Sequence, residues 1–353
     1  MTFILIVIAV FATARGFEIR HDKLISESEE QAIIQNSQKI DSLPAEKISI
    51  LAFGDVMLDR EVFIKTQKAG DFNHPFLKID ELFQGEDIKL ANLEGPITDY
   101  ESQAIKDNGV RFTNSPLFLP ALKSRFDILS LANNHNSDFG REGARQTKEF
   151  LFKEGIQYFG GFRNDEDLSV VLDKNGIKVG IVGYNMWVPE NLQNVLNEIK
   201  RLKTVTDFVI VLPHWGAEYK DEPDWEQRAD AKKLIEAGAN LVLGNHPHAV
   251  QTVEVYQGKM IFYSLGNFVF DMDISERVMR GLGVRIGLER NPTGVIEDSY
   301  ELLPFKINIQ SQPELMGQQD AETFLKWLAK ISKAAGDSKA GIEKGLILNR
   351  QGL

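Results

Sequence analysis

Six polar residues of the types that bind divalent cations, Asp55, Glu94, Asn134, His214, His246 and His248, each follow closely on a short apolar run. A carboxylate able to bridge two ions, an amide oxygen and neutral imidazole nitrogens are the donors of a site for one or two ions of Mn, Zn, Fe or Mg. His246 and His248 give the sharpest signal, because the chain holds six histidines in 353 residues and Pro247 alone separates these two. Each imidazole on such a stiff loop can reach a different ion of a pair, or a substrate oxygen. Taken singly, the residues also have structural readings. Asp55 can be a turn or cap residue, Glu94 a surface carboxylate before a Gly-Pro turn, His135 a loop residue satisfying backbone, and His214 an aromatic packed between Pro213 and Trp215. Two half-buried imidazoles at 246 and 248 would need two separate partners, so the joint pattern favours metal chemistry.

Donors spread from residue 55 to residue 248 converge only if the fold brings the strands that carry them to one edge. Parallel strands of one sheet do this, since their C-terminal ends share an edge where ligands collect. Ile48–Phe53, Phe126–Leu131, Phe208–Leu212 and the run before Gly244 read as buried strands from their unbroken apolar composition. Amphipathic patterns predict helices around Pro75–Phe83, over 141–154, over 225–237 and over Ala321–Ala335, the last with a core-packing face of Phe324, Leu325, Trp327, Leu328 and Ile331. Asn175-Gly176 between apolar runs marks a hairpin. KMIFYSLGNFVFD reads as a strand running into Gly266-Asn267, VRIGLE and SYELLPFKINI as closing strands of a second sheet, and the residues from Gly336 as loosely ordered. Strands alternating with helices make this an α/β chain.

The formal charge of -11 argues against a nucleic-acid partner, which requires a basic face. The absence of cysteine excludes disulfides, thiolate metal sites and a thiol nucleophile. Phe3–Ala14 is apolar and ends in Ala-Thr-Ala, the small-x-small pattern of a cleavable export signal, although Lys and Arg are missing from its start. It is too short for a comfortable membrane span. Export by a cleaved signal or retention by an uncleaved anchor follows, with a charged spacer over 15–46.

The stretches GDVMLDR, NLEGPIT, LANNHNSDFG, HWGAEY, GNHPHAVQ and SLGNFVFD, in this order across Ile48–Asp271, resemble the successive motifs of the CapA capsule-synthesis (poly-γ-glutamate synthesis) proteins. That family is similar to the calcineurin-like metallophosphoesterases. The resemblance implies a four-layer α/β/β/α sandwich, metallo-dependent phosphatase-like, over residues 47–310, followed by a C-terminal helix and tail over 311–353. It implies Asp55, Glu94, Asn134, His214, His246 and His248 as metal ligands, with Glu94 where the phosphoesterases have a bridging Asp, and His135 as general acid. Arg60, Glu218, Tyr219 and Asn267 are then substrate or outer contacts. Two departures stand out: Met57 occupies the position of a histidine ligand and is a poor donor for these ions, and Glu94 is one methylene longer than Asp.

Two functions follow. One is an extracytoplasmic metal-dependent hydrolase, phosphoesterase-like, that acts on a phosphoester or on an anionic cell-surface polymer. The other is a non-catalytic component that holds such a polymer and works with membrane-bound synthesis or export partners. An amide ligase is weaker, since no phosphate-cradling Gly-rich loop of the Walker type is present.

Overall fold

The computed structural model describes residues 46–107, 109–161 and 167–349, so the proposed signal segment and all but the last residue of the spacer lie outside the described residues. The strands are β1 (Lys47–Val56), β2 (Ile88–Leu93), β3 (Ile128–Ser130), β4 (Gln157–Phe159), β5 (Ser169–Lys174), β6 (Ile177–Asn185), β7 (Phe208–His214), β8 (Leu241–Leu243), β9 (Val253–Tyr256), β10 (Lys259–Phe262), β11 (Asn267–Val269), β12 (Arg280–Arg290), β13 (Ile296–Ile307), β14 (Pro313–Leu315) and β15 (Leu346–Asn349). They form two sheets. The first runs β14-β13-β12-β1-β2-β3-β4, with β11 beside β1 and β15 beside β13; the second runs β5-β6-β7-β8-β10-β9. β1 to β4 are mutually parallel, and so are β6, β7, β8 and β10.

Successive side chains of a strand point to opposite faces, and both faces of these strands are buried. Ile50 and Ala52 of β1, with Leu90 and Ile128, join Ile181 of β6, Ile210 and Leu212 of β7 and Leu243 of β8 in one apolar cluster between the sheets. Their neighbours Leu51, Phe53, Ala91 and Leu129 face the other way, onto Val62, Leu122 and Leu151 of covering helices. In the second sheet Val209 and Val211 likewise meet Val195 and Ile199 of helix Asn191–Leu202 and Leu234 of helix Trp225–Ala237. Burial on both faces is why the strands read as continuous apolar runs. The chain is thus a mixed α/β fold with two sheets and covering helices. No described helix is long and apolar enough to cross a membrane.

Several local expectations change. VRIGLE and SYELLPFKINI lie in β12 and β13, which extend the first sheet antiparallel from β1 rather than closing the second. Pro75–Phe83 forms two short 3-10 turns, His74–Phe76 and Asp80–Phe83, in place of a helix, with Phe76 and Phe83 pinned in the core. The helix of this region is Arg60–Ala69, capped by the Asp59 side chain and closed by left-handed Gly70. KMIFYSLGNFVFD divides into β10 of the second sheet and β11 of the first. After Gly336 the chain forms helix Gly336–Lys344 and then β15, which pairs with β13, while Ile342 and Ile347 enter the inter-sheet cluster.

A candidate metal centre where the two sheets end

The strand ends deliver the polar residues. Asp55 is paired in register with Asn92 of β2 on one side and with Asn267 of β11 on the other. In the second sheet Asn185 pairs with His214, and His214 bridges to Asn245, one residue before His246. A side chain at Gly54 would place its Cβ 1.8 Å from the Gly266 carbonyl oxygen, so the end of β1 touches the turn before β11 backbone to backbone just below Asp55.

All six expected ligands meet there in two overlapping sets. In one, Asn134 Oδ1 is 2.8 Å from His214 Nε2, which is 3.2 Å from His246 Nδ1. In the other, Asp55, Glu94 and His248 each offer a donor atom within 4.8 Å of the others. His248 Nδ1 lies 3.6 Å from Asp55 Oδ2 and His248 Nε2 lies 3.8 Å from Glu94 Oε1. Asp55 joins the sets, since the His246 N–H donates to its Oδ2 at 3.2 Å and its Oδ1 stands 3.9 Å from His214 Nδ1. The loop that presents the two histidines is held in left-handed backbone, with φ +96 at His246 and +57 at His248. Such conformations are sparsely populated by residues other than glycine and cluster at functional sites.

Burial governs the electrostatics. It pushes the Asp55 carboxyl up to about 7, against hydrogen bonds from the Asn92 side chain and the His246 backbone. Burial, followed by the charges of Asp55 and Glu218, drives Glu94 well above the usual carboxylate range. The imidazoles move oppositely: burial takes His246 down to about 3, His248 to about 4 and His214 well below its usual value, with neighbouring imidazoles adding to the shift for His214 and His246. Neutral imidazoles at pH 7 present lone pairs to a cation. Both oxygens of Glu94 are buried and accept no hydrogen bond. An orphaned buried carboxylate beside the neutral imidazole of His248 fits a divalent cation, which would satisfy it.

The remaining expected residues lie around this centre. His135 Nδ1 is 2.8 Å from Asp138 Oδ2, its Nε2 is 3.8 Å from Glu94 Oε1, and its ring lies 4.3 Å from that of Phe112. Arg60 forms a fork onto the Asp271 carboxylate and stacks over Phe112 and Phe270. Tyr219 faces His248 with ring centroids 6.1 Å apart. Glu218 is exposed, yet it forms a second potential ligand group with His246 and His248. Asn267 is fully buried: its Oδ1 is 2.8 Å from His248 Nδ1 and its amide nitrogen donates to the Val278 carbonyl. Met57 is buried in the helix-side apolar cluster, and its sulfur accepts the Asp59 N–H at 3.1 Å.

Other contributors escaped the sequence reading. Asn92 donates to Asp55, and Asn133 donates to Asn92 and to the Leu93 carbonyl. Asn114 accepts from the Leu58 N–H and donates to the Glu94 carbonyl, which ties the β1 and β2 ends together. Trp187, half exposed, sets its ring edge-on at 4.2 Å from His246. Asp138 alone carried a hint, standing three residues after His135 in the same motif.

Residues 49–272 match the family model described as "Bacterial capsule synthesis protein PGA_cap". The chain is 28% identical over 323 residues to the PGA biosynthesis protein CapA of Bacillus subtilis, covering 85% of this chain and 84% of that one. It is 28% identical over 330 residues to the capsule biosynthesis protein CapA of Bacillus anthracis, covering 87% and 79%. A probable polyglutamine synthesis accessory protein of Mycobacterium tuberculosis is 26% identical over 281 residues, 71% of this chain and 73% of that one. With motifs, order and extent in agreement, the chain belongs to the bacterial capsule synthesis protein family PGA_cap.

Proposed function

We propose that this chain is a metal-dependent hydrolase of capsule or poly-γ-glutamate synthesis, acting outside the cytoplasm on a phosphoester or on the anionic polymer. The observation that carries the reading is Glu94, whose two buried oxygens lack hydrogen bonds while facing His135 and His248. The order of helices, sheet, sheet and helices in the three apolar clusters supports a four-layer sandwich of the metallophosphoesterase kind. The apolar start of the chain supports export, as a secreted or membrane-anchored protein.

Asp55, Glu94 and His248 would hold one ion, and Asn134, His214 and His246 a second. When bound, such ions polarise a phosphoryl or carbonyl oxygen and lower the pKa of water toward neutrality. The chain's own groups do the rest. Asp138 fixes the His135 ring through Nδ1 and turns Nε2 into the site, where it can hand a proton to the leaving oxygen. Asn267 anchors Nδ1 of His248 and so leaves Nε2 to face Glu94. Asn92 and Asn133 keep Asp55 and the β2 end in place.

Met57 favours a second reading. Its sulfur is turned to the Asp59 backbone and offers nothing to the site, which leaves one position short of a donor and suits a component that holds polymer without cleaving it. The test is the full-length chain, purified without chelator, against His246→Ala/His248→Ala. Elemental analysis should find metal that the double variant loses, and a phosphodiester assay should show turnover that follows the metal. Metal without turnover favours the holding component; no metal after incubation with Mn²⁺ or Zn²⁺ sinks the hydrolase reading and leaves the fold as a scaffold that holds polymer.

A further inference from the structure

This inference rests on the metal reading above and concerns the membership of the site. The ion position at Asp55, Glu94 and His248 has three protein donors, and Met57 adds none. His248 contributes a single lone pair, at Nε2, because its Nδ1–H donates to Asn267 Oδ1 at 2.8 Å. The potential ligand groups Asp55–Glu94–His248 and Glu218–His246–His248 share that imidazole. The second group also contains His246, so Glu218 stands where the two sets of donors meet, within ligand reach of both imidazoles of that loop.

Glu218 is placed for this by its loop. The chain turns through left-handed Tyr219, φ +62, whose N–H donates to the Pro247 carbonyl at 2.8 Å, and this ties the HWGAEY loop to the loop of the paired histidines. The negative charge of Glu218 also acts on Glu94 and His248, as expected for a carboxylate directed at the buried cluster. Asp55 and Glu94 flank the two nitrogens of the His248 ring, and a cation among these carboxylates would offset their mutual repulsion once ionised. Glu94, buried with both oxygens unpartnered, is the independent sign that one lies there.

We propose that Glu218 is a metal ligand in this chain, an exposed carboxylate that adds a donor to the centre beside His246 and His248. Because it is exposed, it can swing off and open a coordination position for substrate, whereas Asp55 and Glu94 are fixed by burial. The experiment is calorimetric titration of the full-length chain with Mn²⁺, comparing wild type, Glu218→Gln and Glu218→Ala. Melting in chelator checks that the variants fold alike. Both variants should bind one ion at least roughly tenfold more weakly, the lower end of what losing even an outer metal partner costs. Unchanged affinity and stoichiometry in both Glu218 variants would overturn the assignment and leave the metal site standing. A wild-type chain that takes up no Mn²⁺ would instead overturn the reading on which the assignment rests.

Discussion

The two sheets bring different chemistry to the same edge. From the first come Asp55 and Glu94, both carboxylates, with their amide supports Asn92 and Asn133; from the second come His214, His246 and His248. Burial acts on both sets and moves them in opposite directions, raising the carboxyls and lowering the imidazoles. Each set is thereby driven toward its uncharged form. For imidazole that is the metal-binding form, and for a carboxylate it is not. The second sheet is therefore ready for a cation at neutral pH, while the first must surrender protons to receive one.

Opposite responses to substitution would break or secure this contrast. The largest effect is expected from His214→Ala in metal-free protein. It strands Asn134 Oδ1 and His246 Nδ1 and opens a void, at a cost of roughly 2–4 kcal/mol, read as a fall in denaturant midpoint. Glu94→Gln should act the other way. A folded pKa above the unfolded one means stability present at low pH and lost as pH rises, so removing that carboxyl should stabilise metal-free protein at pH 8 by roughly 1–3 kcal/mol and change little at pH 4. Destabilisation at pH 8 would show that the Glu94 charge is not strained.

The pH dependence of metal binding sharpens the same contrast. Asp55, raised to about 7, still carries a proton at pH 5.5, whereas His246 and His248, lowered to about 3 and about 4, do not. Mn²⁺ affinity should climb between pH 5 and 7 by about tenfold per pH unit for each proton that leaves, with Asp55 and the still higher Glu94 both contributing. Asp55→Asn should flatten the climb while weakening binding throughout. A climb that persists unchanged would assign the proton elsewhere. Smaller still is Asn267→Ala, which frees the His248 ring; loss of such an orienting partner should weaken Mn²⁺ binding by about tenfold, with little change in melting when chelator is present.

What the sequence made legible follows from how strands are buried. ISILAF, FVIVL and LVL are covered on both faces, so they stand out as apolar runs, and the residues just past them had to lie at the sheet edge. Which sheet a strand joins is set by long-range pairing, and nothing in the composition of β12 or β13 points to β1 as their neighbour. Helix Arg60–Ala69 carried its caps, Asp59 and Gly70, but only Val62 and Thr66 are buried along it, too few to mark a face. The supports Asn92, Asn114 and Asn133 are common loop and strand-end types whose contacts span up to 56 positions. Glu218 was expected as a substrate contact; only the approach of its loop to Pro247 sets it beside His246 and His248.

Trp187 gives the centre an optical consequence. Its indole lies 4.2 Å from His246, whereas Trp215 is buried against Tyr263, Trp225 is exposed as the first residue of helix Trp225–Ala237 and Trp327 sits on helix Gln318–Ile331. Emission from this one ring should therefore dim when a paramagnetic ion such as Mn²⁺ arrives and hold steady with Zn²⁺. Trp187→Phe should remove the Mn²⁺-dependent part of the signal, so ion arrival can be followed in the unlabelled protein.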